Sequence, residues 1–187
     1  MCASPIPLQM PAEAVGVCQV ACGGFHTAMV TLDGRVWSWG EGKYGQLGYA
    51  SIGKSELPVE VKGLDRPCSY IACGRHHSLM ADVDGRLWAW GHGKQGQLGD
   101  GERPVRKPTP RLIKCMFDGA GNVSEIGYNS LPPNRLCFKQ VSCGARHSIA
   151  LSEEGRVFTF GSGRQGQLGH GVLKDELYPR AIRCVYM

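Results

Sequence analysis

Residues 21 to 48, ACGGFHTAMVTLDGRVWSWGEGKYGQLG, carry three patterns whose residue types could do chemistry. Cys22 and His26 stand close together, and a thiolate with an imidazole is half of a tetrahedral zinc set. Gly40, Gly42 and Gly45 spell G-x-G-x-x-G, which cradles phosphate when it follows a strand and opens a helix. Asp33-Gly34, lying between two apolar runs, is a two-residue hairpin signal. What each can do depends on the elements that hold it.

Those elements are repeated. The stretch returns as ACGRHHSLMADVDGRLWAWGHGKQGQLG at residues 72 to 99 and as SCGARHSIALSEEGRVFTFGSGRQGQLG at residues 142 to 169. Periods of this size mean stacked units rather than one continuous domain pattern. The second interval is longer because of DGAGNVSEIGYNSLPPNRL, residues 118 to 136, which has neither helical nor strand periodicity and reads as an inserted loop. Each unit otherwise predicts four short strands. The first ends in Cys-Gly, and the second and third meet across Asp33-Gly34, Asp84-Gly85 or Glu154-Gly155. The fourth follows Pro58, Pro110 or Pro179. Trp37 and Trp39 alternate onto one side of the third strand, as do Trp88 with Trp90 and Phe158 with Phe160, so each small sheet gains a large apolar face.

Four-stranded units that bury such faces against one another predict an all-β propeller segment of about three blades. No sustained 3.6-residue pattern supports stacked helices instead. The repeats run over residues 17–67, 68–136 with the insertion at 118–136, and 137–187. Residues 1–16 form an apolar, proline-rich segment that does not read as a cap.

Composition agrees with a folded chain. It has 187 residues, of which 42% are hydrophobic, enough to bury a core, and its 27 glycines and 11 prolines imply many tight turns. Nine cysteines are an odd number, and the first twenty residues carry no Lys or Arg to open a secretory signal, so reduced thiols and a cytoplasmic or nuclear location are expected. No run of eighteen apolar residues occurs, so membrane insertion is not expected. A net charge of +5 weakly favours acidic partners.

The units resemble the regulator of chromosome condensation family, whose repeats carry V-x-C-G-x-x-H-[ST] and end in W-G-x-G-x-x-G-Q-L-G. The matching stretches are Cys22 to Thr27 with Trp39 to Gly48, Cys73 to Ser78 with Trp90 to Gly99, and Cys143 to Ser148 with Phe160 to Gly169. The resemblance implies a propeller of seven blades, of which about three are present here as an open arc. It implies a non-catalytic protein-interaction scaffold, with another chain or copy covering the open blade faces. It also implies an alternative, nucleotide exchange on a Ran-type small GTPase, because the best-known family member does this. The founding chromatin-bound protein has a basic tail, whereas residues 1 to 34 lack Lys and Arg, which argues against DNA binding through a tail.

Against that frame of strands the glycines read as inter-strand turns, because Gln-Leu-Gly and no helix follows each copy. The Cys/His pairs, Cys22/His26, Cys73/His77 and Cys143/His147, lie on different units and read as packing groups, each His bonding backbone; no metal or cofactor is expected. His76 and His92 each occur in one repeat and are expected to be exposed. The tryptophans occupy repeat positions and read as core. Two stretches depart from the repeat and are the candidate partner-binding residues. One is the basic connector GERPVRKPTPRLIK, residues 101 to 114, with Arg103, Arg106, Lys107 and Arg111. The other is the insertion, with Glu125, Tyr128 and Asn129, since long loops on rigid repeats carry specificity. Changes in that insertion are expected to cost less stability than Gly34→Val or Gly85→Val.

Overall fold

A computed structural model describes residues 7–50, 53–118, 120–128 and 135–183, and every helix or strand among them is a strand. The first repeat forms β1 (Val17–Cys22), β2 (His26–Thr31), β3 (Val36–Gly40) and β4 (Ser55–Glu60), neighbours in that order. The second forms β5 (Cys68–Cys73), β6 (His77–Asp82), β7 (Leu87–Gly91) and β8 (Lys107–Leu112) in the same order. Two short strands follow, β9 (Cys115–Phe117) and β10 (Val123–Glu125). The third repeat then gives β11 (Phe138–Cys143), β12 (His147–Ser152), β13 (Val157–Gly161) and β14 (Glu176–Ala181). All three blades share one register, His26 opposite Gly40, His77 opposite Gly91 and His147 opposite Gly161.

The Asp-Gly turns are longer than their dipeptides suggest. A two-residue type I′ turn needs positive φ at both central residues, yet no described non-glycine residue has one, while Gly34, Gly85 and Gly155 lie at 79°, 75° and 83°. Thr31 N donates to Arg35 O at 3.0 Å and Gly34 N to Thr31 O at 2.8 Å, which makes Leu32-Asp33-Gly34 a type I turn closed by a glycine bulge. The other two blades repeat these bonds.

The alternation of the strands decides which blades touch. Ala28, Val30 and Val36 of the first blade pack with Val61, Ile71, Met80, Trp88 and Trp90 in one core. Leu79, Leu87 and Ile113 of the second pack with Phe138, Phe158 and Phe160 of the third in another. Trp90, Phe158 and Phe160 are each fully buried, so the alternating aromatics are the wedges between blades.

Two expectations need correction. Residues 7–16 do act as a cap: Met10 and Ala14 pack on Met29 and Trp37, on the side of the first blade turned away from the second. Gly16 O also accepts from Leu32 N at 2.9 Å, and the Arg35 guanidinium donates to Glu13 O. The insertion, too, is not a plain loop. β9 and β10 form an antiparallel hairpin, and β9 pairs parallel with β14, so the third sheet has six strands in the order β10-β9-β14-β13-β12-β11.

Beyond the hairpin the insertion enters the core, where Ile126, Tyr128 and Leu136 are buried between the second and third blades. The Tyr128 hydroxyl accepts a hydrogen bond from Leu87 N at 3.1 Å, at the start of β7. Burial raises the pKa of this phenol well above its ordinary value. Tyr128→Phe keeps the ring but strands the Leu87 amide, so a loss of about 1–2 kcal/mol is expected in urea denaturation. An unchanged midpoint would mean that water reaches this amide.

Candidate functional site

The blades are joined by a polar latch built from the repeat's own signature residues. His26 Nε2 lies 2.8 Å from Ser78 Oγ in the next blade, and Ser78 Oγ donates back to Gln46 O at 2.9 Å. One blade on, His77 Nε2 lies 3.0 Å from Ser148 Oγ, which donates to Gln97 O at 2.8 Å. A hydroxyl has one proton to give, and the carbonyl takes it, so each imidazole must donate through Nε2–H. Nδ1 of each ring is buried with no partner to take a second proton, so both rings are neutral. Burial is the main cause that lowers His26 to about 4, with the charge of His76 adding to it. His77 falls to about 3 for the same first reason, helped by its neighbouring imidazoles. The expectation that these histidines bond backbone is corrected: each serves the next blade's serine. Cys22 is exposed, while burial pushes the Cys73 thiol up to about 12. Among the described residues no set of three or more His, Cys, Asp or Glu side chains is arranged for a metal.

The G-x-G-x-x-G copies are two successive turns, Gly45 N donating to Gly42 O at 2.8 Å and Gly48 N to Gly45 O at 3.1 Å. Gly42 is required by space, since a Cβ there would meet Gly53 O at 2.1 Å.

The basic connector divides in two. Arg103 pairs with Asp175 at 3.3 Å, and Lys107 pairs with Asp100 and, at 3.0 Å, with Glu102, so these two cations are held internally. Arg106, Arg111 and Lys114 are exposed and form no ion pair among the described residues. They line a shallow groove of about 650 Å³ beside β8, the outer strand of the second blade, together with Asp100 and Glu102. Of the insertion candidates, Glu125 is exposed at the end of β10, Tyr128 is buried and so is no contact surface, and Asn129 lies outside the described residues. Connector and insertion meet at their roots, where Ile126 N donates to Lys114 O at 2.7 Å.

A second cluster lies on the face formed by the β1–β2 and β3–β4 turns. Glu41 N bonds Phe25 O, His92 N bonds His76 O and Ser162 N bonds Arg146 O, each at 2.8 Å, so these pairs occupy one equivalent place in three successive blades. Phe25 stacks on His76 with ring centroids 4.9 Å apart and planes 4° from parallel. Tyr44 packs against both His76 at 4.8 Å and His92 at 4.9 Å. His76 and His92 are thus half-buried in an aromatic group, not free on the surface as expected. Their repeat positions vary in sequence, so periodicity gave no signal. Aligning the three turns would have placed them side by side.

The profile of the regulator of chromosome condensation (RCC1) repeat matches residues 33–81, 84–151 and 154–184, and a second profile of the same repeat matches 17–46, 68–97 and 138–167. The chain belongs to the RCC1 repeat family. It is 32% identical over 183 residues to the ultraviolet-B receptor UVR8 of Arabidopsis thaliana, covering 97% of this chain and 37% of that protein. It is 33% identical over 169 residues to the E3 ubiquitin-protein ligase HERC2 of Homo sapiens, covering 89% of this chain and 3% of that protein. Prp20p of Saccharomyces cerevisiae, whose crystal structure was described with its binding properties to Gsp1p and histones, overlays with a TM-score of 0.72. That likeness, at 24% identity, covers 90% of this chain and 39% of Prp20p, and it shows the fold. This RCC1-repeat chain therefore spans well under half the length of these relatives.

Proposed function

We propose that this RCC1-repeat arc is a non-catalytic protein-interaction scaffold that works as part of a larger assembly. The observation that carries this reading is the division of the connector: a strand edge fixed by internal ion pairs holds Arg106, Arg111 and Lys114 outward and unpaired. A rigid blade presenting fixed charges suits recognition, because little side-chain and loop entropy is lost on docking. The reading gains support from the third blade, where Ile149, Leu151, Val157 and Ile182 are half-buried while the equivalent Leu79, Ala81, Leu87 and Ile113 are fully buried. We take that apolar face to be covered by a further repeat or another chain in the assembled state.

The test uses a partner captured on the intact chain and then purified. Arg106→Glu with Arg111→Glu is expected to weaken its binding by about tenfold or more, with wild-type affinity falling as salt rises, while stability changes by no more than about 0.5 kcal/mol. Unchanged affinity in the double variant would remove this edge from the interface.

A second reading, nucleotide exchange on a Ran-type small GTPase, is favoured by the β9–β10 hairpin standing on the outer edge of the third blade and by the study of Prp20p with Gsp1p. Release of fluorescent nucleotide from such a GTPase, accelerated by the chain, would promote it over the scaffold reading. Release at the spontaneous rate would retire it.

A further inference from the structure

We propose that the turn face around Phe25, Tyr44, His76 and His92 is a docking surface for an acidic peptide segment, whose carboxylates are taken by Arg75, Arg146, Lys43 and Lys94. This rests on the scaffold reading and names the chemistry of one partner.

Like the connector edge at Arg106, Arg111 and Lys114, this face carries exposed cations without internal partners, whereas Arg35, Arg66, Arg86, Arg103, Lys107 and Arg180 each sit within an ion pair. Arg75, Arg146, Lys43 and Lys94 are all exposed and none forms an ion pair among the described residues. The charges of Arg75, Arg146 and Lys43 act on His76, opposed by the carboxylate of Glu41, and those of Arg146 and Lys94 act on His92. Four cations therefore surround two imidazoles with one carboxylate among them. Such a field attracts an anion and is relieved by it.

The rings show which anion fits. A single-stranded nucleic acid needs open aromatic faces on which bases can stack. Here Phe25 is stacked on His76 and carries the Arg75 guanidinium 5.6 Å from its centroid. Tyr44 is packed by both histidines and carries Lys43 at 5.8 Å. Phe25 stays 47% exposed, but His76 takes one face of its ring, and the Arg75 and Lys43 charges lie beside the two rings rather than leaving them as bare stacking platforms. What the surface offers outward is guanidinium and ammonium, which are donors for carboxylates. His92 Nδ1 lies 3.1 Å from Gln97 Nε2, and the amide nitrogen must donate, so the proton of neutral His92 sits on Nε2.

Docking is coupled to protons. Burial first lowers both imidazoles below the ordinary value, followed by the surrounding cations for His76 and by the His76 charge, Arg146 and Lys94 for His92. His26 and His77, packed behind them, stay neutral through this range. Bound carboxylates oppose the cations and raise both surface imidazoles, so binding takes up protons and strengthens as pH falls through the range between the free and bound values.

The probe is a fluorescein-labelled oligoglutamate peptide, read by anisotropy against the full chain at low salt. Wild type is expected to bind saturably. Arg75→Glu with Arg146→Glu should weaken binding about tenfold or more, while Lys139→Glu with Arg156→Glu, the same change of net charge at exposed positions of the third blade, should stay within about twofold. His76→Gln with His92→Gln should abolish the several-fold ratio of affinities that wild type shows between about pH 5.5 and about pH 7.5, whatever its own affinity at about pH 7.5. All of the residues changed are exposed or half-buried, and a thermal melt of each variant checks that it is folded. No saturable binding, equal losses in the two charge reversals, or tighter binding of oligothymidylate through Arg75 and Arg146 would each overturn the proposal. A chain that holds its captured protein partner yet ignores oligoglutamate loses this surface alone, whereas the scaffold reading fails on its own affinity measurement.

Discussion

Acid is expected to destabilise this chain from above the carboxylate range, with a loss of about 3 kcal/mol between roughly pH 7.5 and 5.5 and about 5 kcal/mol by roughly pH 4.5. The source is the pair of latch histidines, His26 and His77, held at about 4 and about 3 when folded. An unfolded imidazole titrates near 6.5, so between that value and the folded one the unfolded chain binds protons that the native chain refuses. Because both folded values are depressed, the stability they contribute is present above the unfolded value and is lost as pH falls through the folded ones. The structural reason is that Nε2–H already donates to the serine of the next blade, while Nδ1 is buried with no acceptor. A second proton would bury a charged donor with no partner. Urea denaturation across this range is the measurement. A midpoint that stays constant from neutrality to about pH 5.5 would show that the imidazoles titrate freely and that the latch is open in solution.

The latch also marks what sequence reading could and could not reach. Cys-Gly-x-x-His-[Ser/Thr] and Gly-Gln-Leu-Gly are visible as repeated strings, and the alternation of Trp88 with Trp90 gives the wedge face directly. That His26 serves Ser78 in the next repeat is a relation between copies, set by how blades stack, and no local pattern encodes it. The insertion reads as a loop in sequence because β9 and β10 have three residues each, too few to show alternation. Their pairing is imposed by the free edge of β14, which is tertiary information. The burial of Tyr128 has the same origin. In the turns the dipeptide Asp-Gly suits both a two-residue and a three-residue loop, and the choice is made by keeping Asp33 and Asp84 out of positive φ.

Gly85→Ala is expected to cost about 2–5 kcal/mol and Gly155→Ala about 1–2 kcal/mol, although the two glycines occupy the same turn position with nearly the same backbone. Their φ values are 75° and 83°, so the left-handed strain of adding a Cβ is shared. Their surroundings differ. A Cβ on Gly85 would stand 2.7 Å from Cys137 Cβ and 2.8 Å from Cys137 Cα, just before the first strand of the third blade. Gly85 O also accepts from Phe138 N at 2.9 Å, so the turn cannot move away without giving up a bond between blades. At Gly155 nothing lies within 4 Å of the added atom. The difference between the two variants therefore isolates the fit of one blade on the next from the strain of the turn. Gly34, whose added Cβ would meet Pro67 Cβ at 2.4 Å, should behave like Gly85, because it faces the second blade in the same way. Chemical denaturation of the three alanine variants is the measurement. Equal losses at all three positions would mean that backbone strain alone sets the cost and that the blades part freely at these turns.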